Sequence, residues 1–341
     1  MSKGLCRIVL VAFLTIGCLG IAVQQSMAAE GLKHDAHTRG PVPIPASERT
    51  LQTVTADTWF KVATKNDILE GAIFDAAGNM LFCDVTNQRV LRITPDKKLS
   101  TVVNLDGFSP GGLCFRKDGR LFIAAMSADK GTILSVNPDG SDLQTVIGTD
   151  AGFMPNDLVF DTHGGFYFSD FQGTSTDPKG GVYYVPPDFK SVKPVLPNLA
   201  MANGVTLSPD GKVLWTTEFS RNLLHRIELG EPGTIAYLGS AIPYSFVGPA
   251  PDSMRTDMDG NVYVAVYGQG KVMAFNKNGI PIGQILLPGR DQGVNLRSTS
   301  LAIRPGANDL YSVTSDAENK EGAIIFHSKA FGNGVPPLNA R

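Results

Sequence analysis

No cluster of lysine or arginine stands anywhere in these 341 residues, and 30 basic against 32 acidic side chains leave a net charge of −2. A nucleic-acid binder carries a basic stripe to neutralise phosphates, so that class of partner is excluded. Cysteine is scarce: of four, Cys6 and Cys18 fall near the start, and only Cys83 and Cys114 remain beyond. Those two allow at most one disulfide. The longest apolar run, residues 8–23, is shorter than the roughly 20 residues that span a bilayer, which argues against a retained transmembrane anchor.

That run has another reading. Lys3 and Arg7 precede it, and Ser26, Met27 and Ala28 follow with small residues at a cleavage position, so residues 1–28 read as a signal peptide of an exported, periplasmic or secreted protein. Gly17 Cys18 also permits a lipoprotein reading with the chain lipidated at Cys18, although Thr15 departs from the usual aliphatic residue. Without that lipid, no membrane association is expected after cleavage. Residues 29–50, polar and proline-containing, then form a flexible lead-in. Export permits a Cys83–Cys114 disulfide; the alternative is two small apolar fillers between neighbouring blades.

What the chain does have is a repeat. Glycines at 78, 119, 164, 211 and 260 close similar phrases, such as Phe74 Asp75 Ala76 Ala77 Gly78 and Phe160 Asp161 Thr162 His163 Gly164, spaced 41, 45, 47 and 49 residues apart. A degenerate sixth turn follows 48 residues later at Asn308. This is the period of propeller blades of four short strands. Around each turn two β-rich runs form a hairpin, as in residues 205–207 and 213–217, and two more runs follow, as in residues 90–93 and 101–103. The sixth blade lacks its last strand. Residues 59–63 stand before Glu70 much as 101–103 stand before Gly111, so an N-terminal strand is expected to close the ring and remove two open sheet edges. The expectation is an all-β, six-bladed β-propeller over residues 51–331, with residues 332–341 as a tail.

Eight positions before the five turn glycines stand Glu70, Gly111, Asn156, Asn203 and Asp252. Inner strands line the channel of a propeller, so a residue at a common offset recurs at a common height and forms a ring. A single Asn or Asp at a strand start ordinarily caps a turn. Four polar residues converging on one axis are costly unless something positive satisfies them. Two carboxylates and two amide carbonyls, with no histidine or cysteine among them, suit calcium better than zinc, though other divalent cations also fit.

The phrases Leu69 Glu70 Gly71, Pro155 Asn156 Asp157, Ala202 Asn203 Gly204 and Pro251 Asp252 Ser253 resemble the calcium-site motifs of the senescence marker protein, gluconolactonase and luciferin-regenerating enzyme family. The resemblance covers residues 51–331 and is strongest to the drug-responsive lactonase branch, through Gly164 Gly165 Phe166 Tyr167 Phe168 Ser169 Asp170 Phe171 and Pro288 Gly289 Arg290 Asp291. It implies a calcium-dependent hydrolase opening a lactone or related ester as its small-molecule substrate. Glu70, Asn156, Asn203 and Asp252 would hold Ca2+, with Ser253 contributing and Asp252 doubling as general acid/base. Asn156 replaces the aspartate of that branch and agrees with the gluconolactonase branch. A second calcium would use Asp129 and Asp150, in a stretch one residue shorter here than in the lactonase.

Arg297, Ser298 and Thr299 precede the sixth inner strand and are expected to face the channel mouth, either as substrate contacts or only to close the ring. Asp84 and Asp170 are expected to anchor blade loops, and His225 to sit in an outer strand away from the channel. The rival readings are a phosphotriesterase-like hydrolase on the same metal and a non-catalytic propeller that displays loops to a partner. The mature protein is expected to begin near Ala29. N-terminal sequencing of exported material checks this, and recovery of intact Met1 would refute it.

Overall fold

The computed structural model describes residues 32–35, 38–62, 67–315 and 322–340; the signal peptide and its cleavage signature lie outside the described residues. Five sheets of four strands and one of five surround a central axis, and in the first four blades the strands run in sequence order from the axis outward. Blade 1 shows the pattern: Leu69–Phe74, Met80–Asp84, Arg89–Ile93 and Leu99–Asn104, all antiparallel. The turn glycines explain why each first hairpin folds locally. Gly78, Gly119, Gly164, Gly211 and Gly260 have φ between 71° and 91°, where any other residue is strained. In three turns the preceding aspartate caps the loop: Asp75 accepts from Ala77 and Asn79, Asp161 from His163 and Gly165, and Asp257 from Asp259 and Asn261.

The sixth blade closes as expected. Ser298–Ile303, Asp309–Thr314 and Ile324–Lys329 come from the C-terminal part, and the N-terminal strand Asp57–Lys61 pairs antiparallel with the last of these. The expected strand, residues 59–63, therefore begins two residues earlier, and residue 63 lies outside the described residues. A further strand, Gln52–Thr55, pairs parallel with Pro281–Leu286 as a fifth strand of blade 5. The N-terminal segment thus joins the two last blades along their outer edges.

The lead-in departs from its expectation as a flexible segment. Arg290 donates to the Val42 carbonyl at 2.5 Å, and Glu48, only 1% exposed, pairs with Lys271, equally buried. Tyr244 donates to Glu48 at 3.1 Å, and Gln284 to the Glu48 carbonyl at 3.1 Å. Buried ionic anchors of this kind depend on single residues far apart in the chain, which no periodic pattern announces. Cys83 and Cys114 are free thiols, so the packing alternative holds.

Apolar side chains fill the seams between blades. Phe122 of blade 2 meets Phe160 of blade 3 edge-on at 4.8 Å, with Phe166, Phe168 and Phe189 around them. The tail has no strand, yet it is fixed across the turn side of the channel. Gly332 donates to the Asp257 carboxylate at 3.0 Å, Gly334 to the Ala307 carbonyl at 2.9 Å, and Leu338 joins the phenylalanine cluster.

Burial pushes the Lys271 amine down from its ordinary value, and the Glu48 charge pulls it back up. Replacing one partner strands the other charge in the interior. Lys271→Met is expected to cost about 3–5 kcal/mol in denaturant unfolding, and Glu48→Leu added to it to recover most of that loss. Additive losses would refute the pairing.

Candidate active site

Every innermost strand carries an irregularity at the same place. The register slips between Glu70 and Ile73, Pro110 and Gly112, Pro155 and Leu158, Ala202 and Val205, Pro251 and Met254, and Ser298 and Ser300. A bulge inserts a residue on one side of the pair, bends the strand and turns side chains away from strict alternation. Here it coincides with the repeat position in each blade. The innermost strands of successive blades contact each other around the whole ring. Their approach leaves no room for a methyl: a Cβ on Gly204 would lie 2.7 Å from the Asp252 carbonyl oxygen, and one on Gly111 2.8 Å from that of Asn156.

Hydroxyls from neighbouring blades hold this seam. Thr217 donates to the Asp252 carbonyl at 2.8 Å, Ser169 to that of Asn203, and Thr299 to that of Leu69 at 2.6 Å. Each bond fixes the backbone of a ring residue or its neighbour. Ser298 shares a hydroxyl contact of 3.1 Å with Ser312. Ser298 and Thr299 are therefore turned into the blade 6 seam rather than toward the mouth.

The ring itself contains oxygens without protein partners. Asn156 Oδ1, Asn203 Oδ1 and Asp252 Oδ1 are all buried and accept no hydrogen bond among the described residues. Each such group costs about 1–3 kcal/mol, so three at one level of one channel call for a common ligand. Glu70 stands beside them and accepts from Ser253 Oγ at 3.4 Å. Among the described residues no three His, Cys, Asp or Glu side chains cluster at metal-binding geometry, because half of this donor set is amide. The orphaned oxygens and the two carboxylates suit a hard divalent cation.

The electrostatics agree. Burial pushes the Asp252 carboxyl well above the usual carboxylate range, bonds from the Asn203 side chain and the Ser253 N–H pull it down, and the Asp157 charge pushes it up again. Burial raises Glu70 likewise, with the Asp252 charge next in weight. Two carboxylates that each disfavour the other's charge gain most from a cation between them. Burial also holds the Cys83 thiol protonated, and the Glu70 charge adds to this.

Below the ring lies an ion pair that the offset pattern missed. Asp157, wholly buried, accepts from Arg255 at 2.9 Å and from the backbone of Leu158 and Val205. Arg255 also donates to the Ala72 carbonyl at 3.3 Å, so one guanidinium joins blades 1, 3 and 5 as a floor under the ring. Each of these two charges is adjacent or nearly adjacent to a ring residue in sequence. That proximity was the available signal.

Above the ring the second strands end in an aromatic arc. Phe171 and Phe219 are 5.6 Å apart, Phe219 and Tyr267 5.9 Å, and the Arg297 guanidinium lies 5.6 Å from the Tyr267 ring. The register of Asp170 with Pro155, Glu218 with Ala202 and Val266 with Pro251 puts this arc at the ring's end of the channel. Asp170 accepts from Met154 N–H at 2.8 Å and Glu218 from Ala200 N–H at 2.8 Å, anchoring the loops that lead into Asn156 and Asn203. His225 bonds Glu218 at 2.9 Å, away from the ring. Asp84 bonds Arg89 at 2.8 Å and Asn87 N–H at 3.1 Å, also as a loop anchor. Asp129 accepts from Ser127 at 3.3 Å, and Asp150 sits in the short helical turn Thr149–Ala151.

The chain matches the family described as SMP-30/Gluconolactonase/LRE-like region over residues 68–315. It is 50% identical over 299 residues to lactonase drp35 of Staphylococcus saprophyticus, covering 86% of this chain and 92% of that one. With lactonase drp35 of Staphylococcus haemolyticus it shares 46% identity over 311 residues, 89% and 95% of the two chains. Among solved structures, the calcium-binding protein regucalcin from Agrobacterium tumefaciens superposes with a TM-score of 0.69 at 17% identity, over 85% of this chain and 99% of that one. A gluconolactonase from Xanthomonas campestris gives 0.65 at 17% identity, over 87% and 99%. Those two show the fold alone. On the family match and the two lactonases, the chain belongs to the SMP-30/gluconolactonase/LRE-like family.

Proposed function

We propose that this chain is a calcium-dependent lactonase, exported from the cytoplasm, whose site is the oxygen ring. The observation that carries the reading is the set of three buried, unpartnered oxygens on Asn156, Asn203 and Asp252 beside the Glu70 carboxylate. Its relatives named lactonase drp35 support the substrate class. Calcium held by Glu70, Asn156, Asn203 and Asp252 would polarise the ester carbonyl and stabilise the developing oxyanion. A donor set with only two carboxylates favours modest affinity, which suits a protein working outside the cell.

The protein's own groups supply the rest. Asp252, carrying a carboxylate whose affinity for a proton is raised by burial, takes the proton from the attacking water and returns it to the leaving alkoxide. Asn203 and the Ser253 N–H, both bonded to it, fix its orientation. Ser253 positions Glu70 by its hydroxyl. Phe171, Phe219 and Tyr267, at the ring's end of the channel, present apolar faces to the body of the substrate. Arg297, against Tyr267, offers a cation at the same rim.

Asp252→Asn keeps an oxygen and removes both charge and basicity. Lactone hydrolysis is expected to fall by about 10² to 10⁴-fold, with weaker calcium binding. Asp84→Asn should retain most activity. Near parental turnover in Asp252→Asn on every lactone the parent opens would overturn the mechanism.

A pH dependence follows from the raised carboxyls. Protons held by Glu70 and Asp252 must leave before a cation binds, so calcium affinity should rise as pH climbs from the ordinary carboxylate range near about 4 through the raised values. For the same reason the metal-free fold loses stability over that interval, because the folded state holds protons that the unfolded chain has released. Calorimetric calcium titrations across pH check the first, and denaturant unfolding in EDTA across the same pH range checks the second. A flat affinity, or an unchanged slope in Asp252→Asn, would count against the assignment.

A further inference from the structure

The channel has a second chamber. On the turn side of the Asp157–Arg255 floor lies a cavity of 170 Å³, lined by Phe74, Phe115, Phe160, Leu207 and Ile303 and covered by residues 335–338 of the tail. An apolar cavity of about 150 Å³ stays dry and takes up benzene, so this one accommodates a single ring. Its lining is not wholly apolar: Arg255 faces it with 17% of its side chain exposed, and Asp161, whose carboxylate is taken up by His163 N–H, Gly165 N–H and the Tyr184 hydroxyl, stands where the chamber meets the neighbouring pocket. The guanidinium bonds Asp157, Met254 and Ala72 through Nη1 twice and Nη2 once. That leaves Nε and one Nη2 proton for an incoming acceptor.

We propose that this chamber is a second binding site, independent of the metal ring, for a small carboxylate with one aromatic ring or an apolar body of that size. The ring of the ligand packs among the phenylalanines, and its carboxylate meets the unused N–H groups of Arg255. A planar guanidinium is the side chain best suited to that contact. Asp157 stands between the chamber and the oxygen ring, so a ligand bound here does not reach Glu70 or Asp252. A second pocket, lined by Arg116, Lys117 and His163, adjoins the chamber and shares Phe160, Asp161, Thr162 and Leu338 with it, so its basic side chains would draw a carboxylate toward the chamber.

The test is calorimetric titration of the full chain with benzoate, in calcium and again in EDTA, with benzyl alcohol as the uncharged comparison. Saturable benzoate binding of equal strength in both buffers, with benzyl alcohol weaker by about tenfold or more, is expected, a tenfold change being about 1.4 kcal/mol. Ala302→Leu, which fills the chamber from the sixth inner strand, should abolish the binding while leaving lactone turnover near the parent's. Three results would overturn the proposal: no saturable binding, binding that needs calcium, or benzyl alcohol binding as tightly as benzoate. Should Ala302→Leu fail to fold, the comparison of benzoate with its uncharged partner in the parent protein still decides. Because the readout is binding in EDTA, it stands or falls apart from the lactonase reading.

Discussion

The close approach of the six innermost strands, to within glycine distance between blades 1 and 2, 2 and 3, and 4 and 5, is the constraint on which the rest depends. At that spacing a Cβ on Gly204 meets a neighbouring carbonyl, so the backbone has no freedom to drift. Bulges at one height in all six strands then break the strict alternation of side chains, and hydroxyls of Ser169, Thr217 and Thr299 tie the carbonyls of neighbouring strands. Precision at the ring comes from strands rather than from loops, which is the better platform for a chemical site.

This arrangement concentrates negative charge and unpaired oxygen where water has little access. Asp157 adds a third carboxylate, itself wholly buried and answered by Arg255, so the floor beneath the ring is compensated from within the protein while the ring is not. The fold therefore holds one compensated and one uncompensated set of charges, stacked along the axis. Only the second is available to a ligand cation, and the division depends on a single guanidinium that also links three blades.

Much of this was legible in the sequence because it repeats. Turn glycines marked the blades, the offset of eight placed Glu70, Asn156, Asn203 and Asp252 at one height, and the missing last strand of blade 6 pointed to the N-terminus. What repeats weakly was not legible. The fifth strand Gln52–Thr55, the Glu48–Lys271 anchor and the Asp157–Arg255 floor each join residues far apart in the chain through contacts that occur once rather than in every blade. Ser298 and Thr299 were expected at the mouth because they precede an inner strand, and the bulge between Ser298 and Ser300 is what turns them into the seam.

The pairing of Asp57 with His327 spans 270 positions. Until the final hairpin exists, the strand Asp57–Lys61 has nothing to pair with, and Gln52–Thr55 waits for blade 5 in the same way. The first strands to be synthesised are thus the last to find their place, a demand that slows folding. The order of assembly is thereby imposed by the topology: the propeller cannot lock shut before its C-terminal blade has been made.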